Sequence, residues 1–252
     1  MQIEWAFKGV ALAGRDRLLD CFPETAFDSP TRSTIALLEH WRSTEQRVRE
    51  LARALGLPVP RRVQLDFEHM VHPPKGRGKP SCTDLMVISP DFVVAIEAKW
   101  TEPRYPVVED WLDGTENRKQ VLQGWCDLLE LRAESRVATG DLHGLPYQMV
   151  HRAASACHQR KAASCRVAYL VFETTARARS ECLEDLALLR DVLGSRSSLG
   201  MALAECSIEQ SRTLNELRRQ WESGERHLHA PVLRGLKGDG LLRTRLERVH
   251  CL

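Results

Sequence analysis

Apolar and polar positions recur with two different periods along this chain. Ile35, Leu37, Leu38, Trp41, Val48, Leu51 and Leu55 fall at helical spacing. Pro30 with Thr31 or Ser33 opens that stretch, and Gly56 with the Pro58/Pro60 pair closes it. Val63, Leu65 and Phe67 then alternate with polar neighbours, the period of a half-buried strand. A basic turn occupies 73–80, where two prolines, two glycines and a closing proline leave no room for regular structure. Two further strands are predicted over 83–88 and 92–99, joined at Ser89-Pro90-Asp91. The second is apolar on both faces from Phe92 to Ile96, so it belongs at the centre of its sheet.

Downstream, Val121, Leu122, Trp125, Leu128 and Leu129 predict a helix over 117–132, and a second helix is predicted over 147–163. A buried strand is predicted over 167–172, then a helix over 180–193, a short strand over 201–208 and a helix over 210–221. Residues 1–29 are broken up by Gly9, Gly14 and Pro23, and the last thirty residues read as a loosely packed arm. The order of elements is that of an α/β protein: a central mixed sheet of about four to five strands flanked by helices. The expected organisation is an N-terminal extension over 1–29, a core over 30–178, and a helical C-terminal extension with a basic tail over 179–252.

Composition narrows the class without naming a chemistry. The 252 residues are 43% hydrophobic and 28% charged, which excludes wholesale disorder. No run approaches the ~18 apolar residues of a membrane span, and Met1-Gln2-Ile3-Glu4-Trp5 lacks the pattern of a signal peptide. A cytoplasmic protein with no membrane partner is expected. The eight cysteines are scattered without a CxxC pair, as reduced thiols would be, and no zinc-finger spacing occurs.

Net charge is only +2, but its distribution is uneven. Residues 151–180 carry six basic residues against the single acid Glu173, and 230–252 carry five against two. Arginines outnumber lysines 29 to 7, which suits planar phosphate contacts.

The chemistry-bearing stretch is the predicted hairpin. A turn centred on Pro90 puts Asp84 opposite Ile96 or Glu97, and alternation places Glu97 and Lys99 on one face. Two carboxylates and an ammonium thereby meet at one end, with cross-strand neighbours only ~5 Å apart. Carboxylates that close repel unless a cation intervenes. Mg²⁺, a hard ion that keeps waters for a phosphate and a nucleophile, is the natural choice, with Mn²⁺ as its substitute.

These residues, in the context of a preceding helix, three meandering strands and a following helix, resemble the PD-(D/E)XK or restriction-endonuclease-like nuclease superfamily. The resemblance covers about 30–175. Asp84 matches the first acid, Glu97 the second and Lys99 the lysine of E-x-K; Thr83 stands where the nominal proline would be. It implies a restriction-endonuclease-like core and Mg²⁺-dependent hydrolysis of phosphodiester bonds, usually of DNA, with Asp84, Glu97 and the Ala98 carbonyl holding the metal. Gln120 resembles the glutamine that many members place near the site. Glu39 is the candidate for a glutamate from the first core helix, with Glu45 and Glu50 as rivals.

The loop residues Lys75, Arg77 and Lys79, and the later Arg160 and Lys161, are candidate nucleic-acid contacts. His69, His72, Trp100, Arg166 and Glu173 are weaker candidates near the same cleft. A DNA endonuclease in defence or processing is the leading expectation, as a homodimer or with a partner subunit supplying specificity or a motor. An RNA-directed nuclease and a non-catalytic nucleic-acid-binding or assembly protein on the same fold are the alternatives.

Overall fold

The computed structural model describes residues 1–159 and 162–252. Among the described residues eight strands form one mixed sheet: β1 (Gln2–Phe7), β2 (Val10–Leu12), β3 (Arg62–Val71), β4 (Ser81–Ile88), β5 (Phe92–Lys99), β6 (Ser164–Phe172), β7 (Leu199–Gln210) and β8 (Leu242–Cys251). They lie in the order β2-β1-β3-β4-β5-β6-β7-β8. The β3–β4–β5 meander is antiparallel, β5, β6 and β7 run parallel, and β8 returns antiparallel on β7.

Nine helices cover the sheet among the described residues: α1 (Arg15–Cys21), α2 (Ser33–His40), α3 (Thr44–Ala54), α4 (Val108–Trp111), α5 (Glu116–Leu129), α6 (Tyr147–His158), α7 (Ala176–Leu193), α8 (Arg212–Glu222) and α9 (His229–Lys237). None of them is long and apolar enough to cross a membrane. Alternation along the strands sorts the core into two layers. Phe92, Val94, Ile96 and Ala98 of β5 pack with α1, α2, α3, α8 and α9 on one face. Val93 and Ala95 pack with α4, α5, α6 and α7 on the other. This is why β5 carries a nearly unbroken apolar run.

The sheet is wider than the four to five strands expected. The additional strands come from the ends of the chain: β2 pairs with β1, β1 joins parallel to β3, and β8 extends the far edge beyond β7, the strand expected over 201–208. The tail expected to be a loose arm is strand β8, whose alternating Arg-rich sequence leaves Arg243 and Arg245 outward while Leu242 and Thr244 are buried. The long helix expected over 30–55 is interrupted by a 3-10 turn at Trp41–Ser43, where Trp41 plugs into the core.

The β4–β5 turn fixes the register on which the site depends. Ser89 N–H bonds the Phe92 carbonyl at 2.9 Å, while the Ser89 hydroxyl accepts from the N–H groups of Asp91 and Phe92 at 3.2 and 3.0 Å. Pairing then runs from Ile88 with Val93 to Leu85 with Ile96.

Candidate active site

One further step along that register sets Asp84 opposite Glu97. The backbone ladder ends at Leu85 and Ile96, and there the Asp84 side chain takes over: its Oδ2 accepts the Ala98 N–H at 2.8 Å. Asp84, Glu97 and Lys99 all project toward the face covered by α6, the same face as Met86, Val93 and Ala95. They share an open cleft with Ala98, Glu102, Arg104, Tyr105 and Gln148.

Helix α6 supplies the remaining groups. Its start is pinned where Tyr147 N–H bonds the Pro106 carbonyl at 3.0 Å. Gln148 and Arg152, one turn apart, face the sheet together. Gln148 Oε1 accepts from the Lys99 ammonium at 2.7 Å, and that ammonium is 3.1 Å from Glu97 Oε1. Arg152 Nε donates to Glu97 Oε2 at 2.5 Å, and Arg152 Nη1 donates to the Ser81 hydroxyl at 3.0 Å. Ser81 also shares a hydrogen bond with His151 Nδ1 at 2.8 Å.

The electrostatics follow from burial. Burial and the neighbouring Glu97 charge raise the Asp84 carboxyl well above the usual carboxylate range, against the pull of Arg152 and the Ala98 N–H. Burial opposes the charge on Arg152, but Glu97 and Asp84 outweigh it and push the guanidinium pKa above its ordinary value. At the cleft rim, burial opposes ionisation of Glu102, yet its carboxyl is held below its usual range by the backbone N–H groups of Ser33 and Trp100, at 2.8 and 2.9 Å. Glu102 thereby ties the strand end to the start of α2.

Among the described residues no three Asp, Glu, His or Cys side chains form a ready-made metal cluster. Two carboxylates facing each other across a strand pair are nevertheless a donor set that suits Mg²⁺, which needs only one or two protein carboxylates. Lys99 and Arg152 both pair with Glu97, whereas Asp84 takes the Ala98 N–H on Oδ2, so burial and the Glu97 charge weigh on Asp84.

The other sequence candidates fall elsewhere. Gln120 is exposed on α5 and outside the lining of the cleft; Gln148 occupies the position beside Lys99. Glu39 is buried and committed to the Arg42 guanidinium at 2.6 Å and the Leu241 N–H at 2.6 Å, so it anchors the C-terminal segment. Glu45 and Glu50 pair with Arg49 and Arg47 on α3. His69 bonds Asp66 at 2.6 Å, His72 is exposed, and Trp100 sits beside Glu173.

The basic loop does not hang free. A Cβ on Gly124 of α5 would meet Lys75 N at 2.8 Å, so the glycine permits the loop to lie directly on that helix. Lys75 is paired with Asp127 at 2.7 Å. Arg77 and Lys79 remain exposed and line a groove with Arg118, Trp111 and Gln148. Arg160 and Lys161 lie outside the described residues. Arg166 donates to the Cys165 carbonyl.

Gln148, Arg152 and Tyr105 were not singled out from sequence as parts of the site. The available signal was a glutamine and an arginine four residues apart on a helix otherwise rich in alanine and apolar residues, a polar notch on a buried face. No curated protein and no solved structure matches this chain. Residues 15–221, well over half its length, match the family described as Domain of unknown function (DUF6946), and the protein belongs to that family.

Proposed function

We propose that this protein is a metal-dependent nuclease that hydrolyses phosphodiester bonds, with DNA as the first substrate to test. The observation that carries the reading is the meeting of Asp84 and Glu97 at the open end of β4 and β5, with the Lys99 ammonium 3.1 Å from Glu97 on the same face. The resemblance of Asp84, Glu97 and Lys99 to the PD-(D/E)XK pattern, and the helix–meander–helix order around them, support it.

Asp84, Glu97 and the Ala98 carbonyl would hold Mg²⁺ or Mn²⁺, which when bound supplies Lewis-acid polarisation of the phosphate and an activated water. The chain's own groups do the rest. Gln148 fixes the Lys99 side chain at 2.7 Å, and that ammonium stands where it can meet charge developing on a phosphoryl oxygen. Arg152 holds Glu97 in one orientation from beneath, out of reach of solvent. Arg32, exposed at the rim, offers further positive charge to an entering polyanion, while Arg104 is paired with Asp185 at 2.6 Å.

The test is cleavage of supercoiled plasmid with Mg²⁺ or Mn²⁺. Nicking by wild type that is abolished by EDTA, Asp84→Asn and Lys99→Ala is expected; equal cutting by all three proteins would overturn the assignment.

A second reading has one observation in its favour. Both Glu97 oxygens already have cationic partners, Arg152 and Lys99, as in a structural ion network on a non-catalytic binding scaffold. Divalent metal binding separates the two, since only the nuclease reading requires it of Asp84 and Glu97.

A further inference from the structure

Tyr105 and Gln148 stand where three depressions of the surface meet. The first is the acid cleft of Asp84, Glu97 and Lys99. The second is the groove carrying Arg77, Lys79 and Arg118, with no carboxylate among its described lining residues. The third, which also includes Lys99, has an apolar wall of Pro103, Pro146, Met149 and Val171, with Glu102, Glu181 and the Arg104–Asp185 pair completing its lining. Tyr169, which pairs with Glu97 in the β5–β6 register, lines it as well.

The chemistry of the three differs in an ordered way. An acid-free basic groove suits backbone phosphates. An apolar pocket with aromatic walls suits a planar base removed from water. All three share Tyr105 and Gln148, and the acid cleft and the apolar pocket share Lys99 as well. Tyr105 is 47% exposed, with the Lys99 ammonium 5.9 Å over its ring. A ligand matching this sequence of surfaces must carry a run of phosphates and, within about one nucleotide of the reacting phosphate, a base free to leave its stack. A duplex keeps its bases paired and stacked inside; a single strand presents them.

We propose that the ligand these three surfaces hold is a single-stranded polynucleotide. Its phosphates run along Arg77, Lys79 and Arg118, and one unpaired base seats against Tyr105 in the apolar pocket. As a statement about substrate it rests on the phosphodiesterase reading of the acid cleft; as a statement about binding it has its own readout.

That readout is fluorescence anisotropy of a labelled ~16-nucleotide oligo(dT), within the span of known single-strand site sizes, against a duplex of equal length. The protein is the full chain in EDTA, so that no turnover intervenes. The single strand is expected to bind at least ~10-fold tighter than the duplex. Tyr105→Ala should weaken single-strand binding by about 10-fold, in the range of one lost base stack, and leave duplex binding unchanged. Arg77→Ala with Lys79→Ala should lower the slope of log affinity against log salt by about 1 to 2. All three side chains are exposed, and circular dichroism verifies that the variants remain folded.

Equal affinity for single strand and duplex, or an unaltered single-strand affinity in Tyr105→Ala, overturns the inference. If Asp84-dependent plasmid cleavage accompanies equal affinities, the nuclease reading survives alone. If Tyr105-dependent single-strand binding occurs with no metal-dependent cleavage, the strand path stands and the nuclease reading falls.

Discussion

Arg152 reaches from α6 to place its Nε 2.5 Å from Oε2 of Glu97, with both side chains almost wholly buried, 7% and 3% exposed. This pair is the floor of the candidate site. Charges taken out of water at that depth are tolerated because each has the other, and because Ser81 accepts from Arg152 in turn. The arrangement also confines Glu97 to one rotamer facing Asp84, so a stability element and a site element are the same contact.

Removing Arg152 leaves Glu97 with Lys99 as its one remaining cationic partner. Arg152→Met should destabilise the protein by about 3 kcal/mol, the low end of the penalty for breaking a buried pair, because Lys99 still offsets part of the charge. The double variant with Glu97→Gln should recover much of that loss, because the under-compensated carboxylate is gone. Urea unfolding of the two single variants and the double variant measures it; strict additivity would show that the pair is not coupled.

Metal dependence can be read without any substrate. A ligand that binds only the folded state adds stability, about 2.7 kcal/mol at a hundredfold excess over its Kd. Mg²⁺ or Mn²⁺ should thus raise the melting temperature of wild type and leave that of Asp84→Asn where it was. An unmoved wild-type transition would favour the structural-network reading, in which Lys99 and Arg152 are the only cations Glu97 requires.

The two glutamines give a sharper contrast. Gln148 holds the Lys99 ammonium at 2.7 Å, whereas Gln120 is exposed on α5 and outside the cleft. Gln148→Ala should lower cleavage by about tenfold or more through misplacement of Lys99, and Gln120→Ala should leave it near wild type. A loss of activity in Gln120→Ala with none in Gln148→Ala would mean that the working site lies elsewhere.

That contrast also marks what the sequence made legible. The meander and its register were readable, because alternation is local and a short turn sets the pairing; Asp84, Glu97 and Lys99 followed from it. Gln148 was not, because it lies 49 positions from Lys99, and the intervening α4 and α5 precede the helix that packs on the strands. The first helix after a motif is the sequence-order choice; tertiary packing selected the second. The terminal strands were missed for a related reason. β1 and β8 are edge or near-edge strands with polar outer faces, so their pattern is weak until a neighbour is known.

Acid should unfold the protein partly through a group remote from the cleft. Burial, aided by the charge of Arg47, pushes the His40 imidazole down to about 3, while its Nδ1 shares a 2.8 Å hydrogen bond with the Thr244 hydroxyl. In the unfolded chain the same ring takes up a proton below about 6.5. Between those values the unfolded state binds more protons, so stability falls as pH falls, by up to about 1.4 kcal/mol per pH unit from this group. His40→Asn should flatten the decline between pH 6.5 and 5, where most carboxylates are still ionised. Urea midpoints of the two proteins against pH test it, and parallel curves would mean that His40 does not titrate on unfolding.

Thr83 offers the opposite case, a site where a substitution should add stability. It is fully buried, and its hydroxyl finds no hydrogen-bond partner among the described residues. A hydroxyl carried into the interior without a partner is penalised by about 1–3 kcal/mol. Valine keeps the β-branched shape and the strand preference while removing that polar atom. Thr83→Val should therefore raise stability by about 1 kcal/mol, seen as a higher melting temperature. The backbone that presents the adjacent Asp84 should be undisturbed, so metal-dependent stabilisation, where wild type shows it, should persist unchanged in the variant. A lower melting temperature would reveal that the Thr83 hydroxyl has a partner after all, with a buried water as the first candidate.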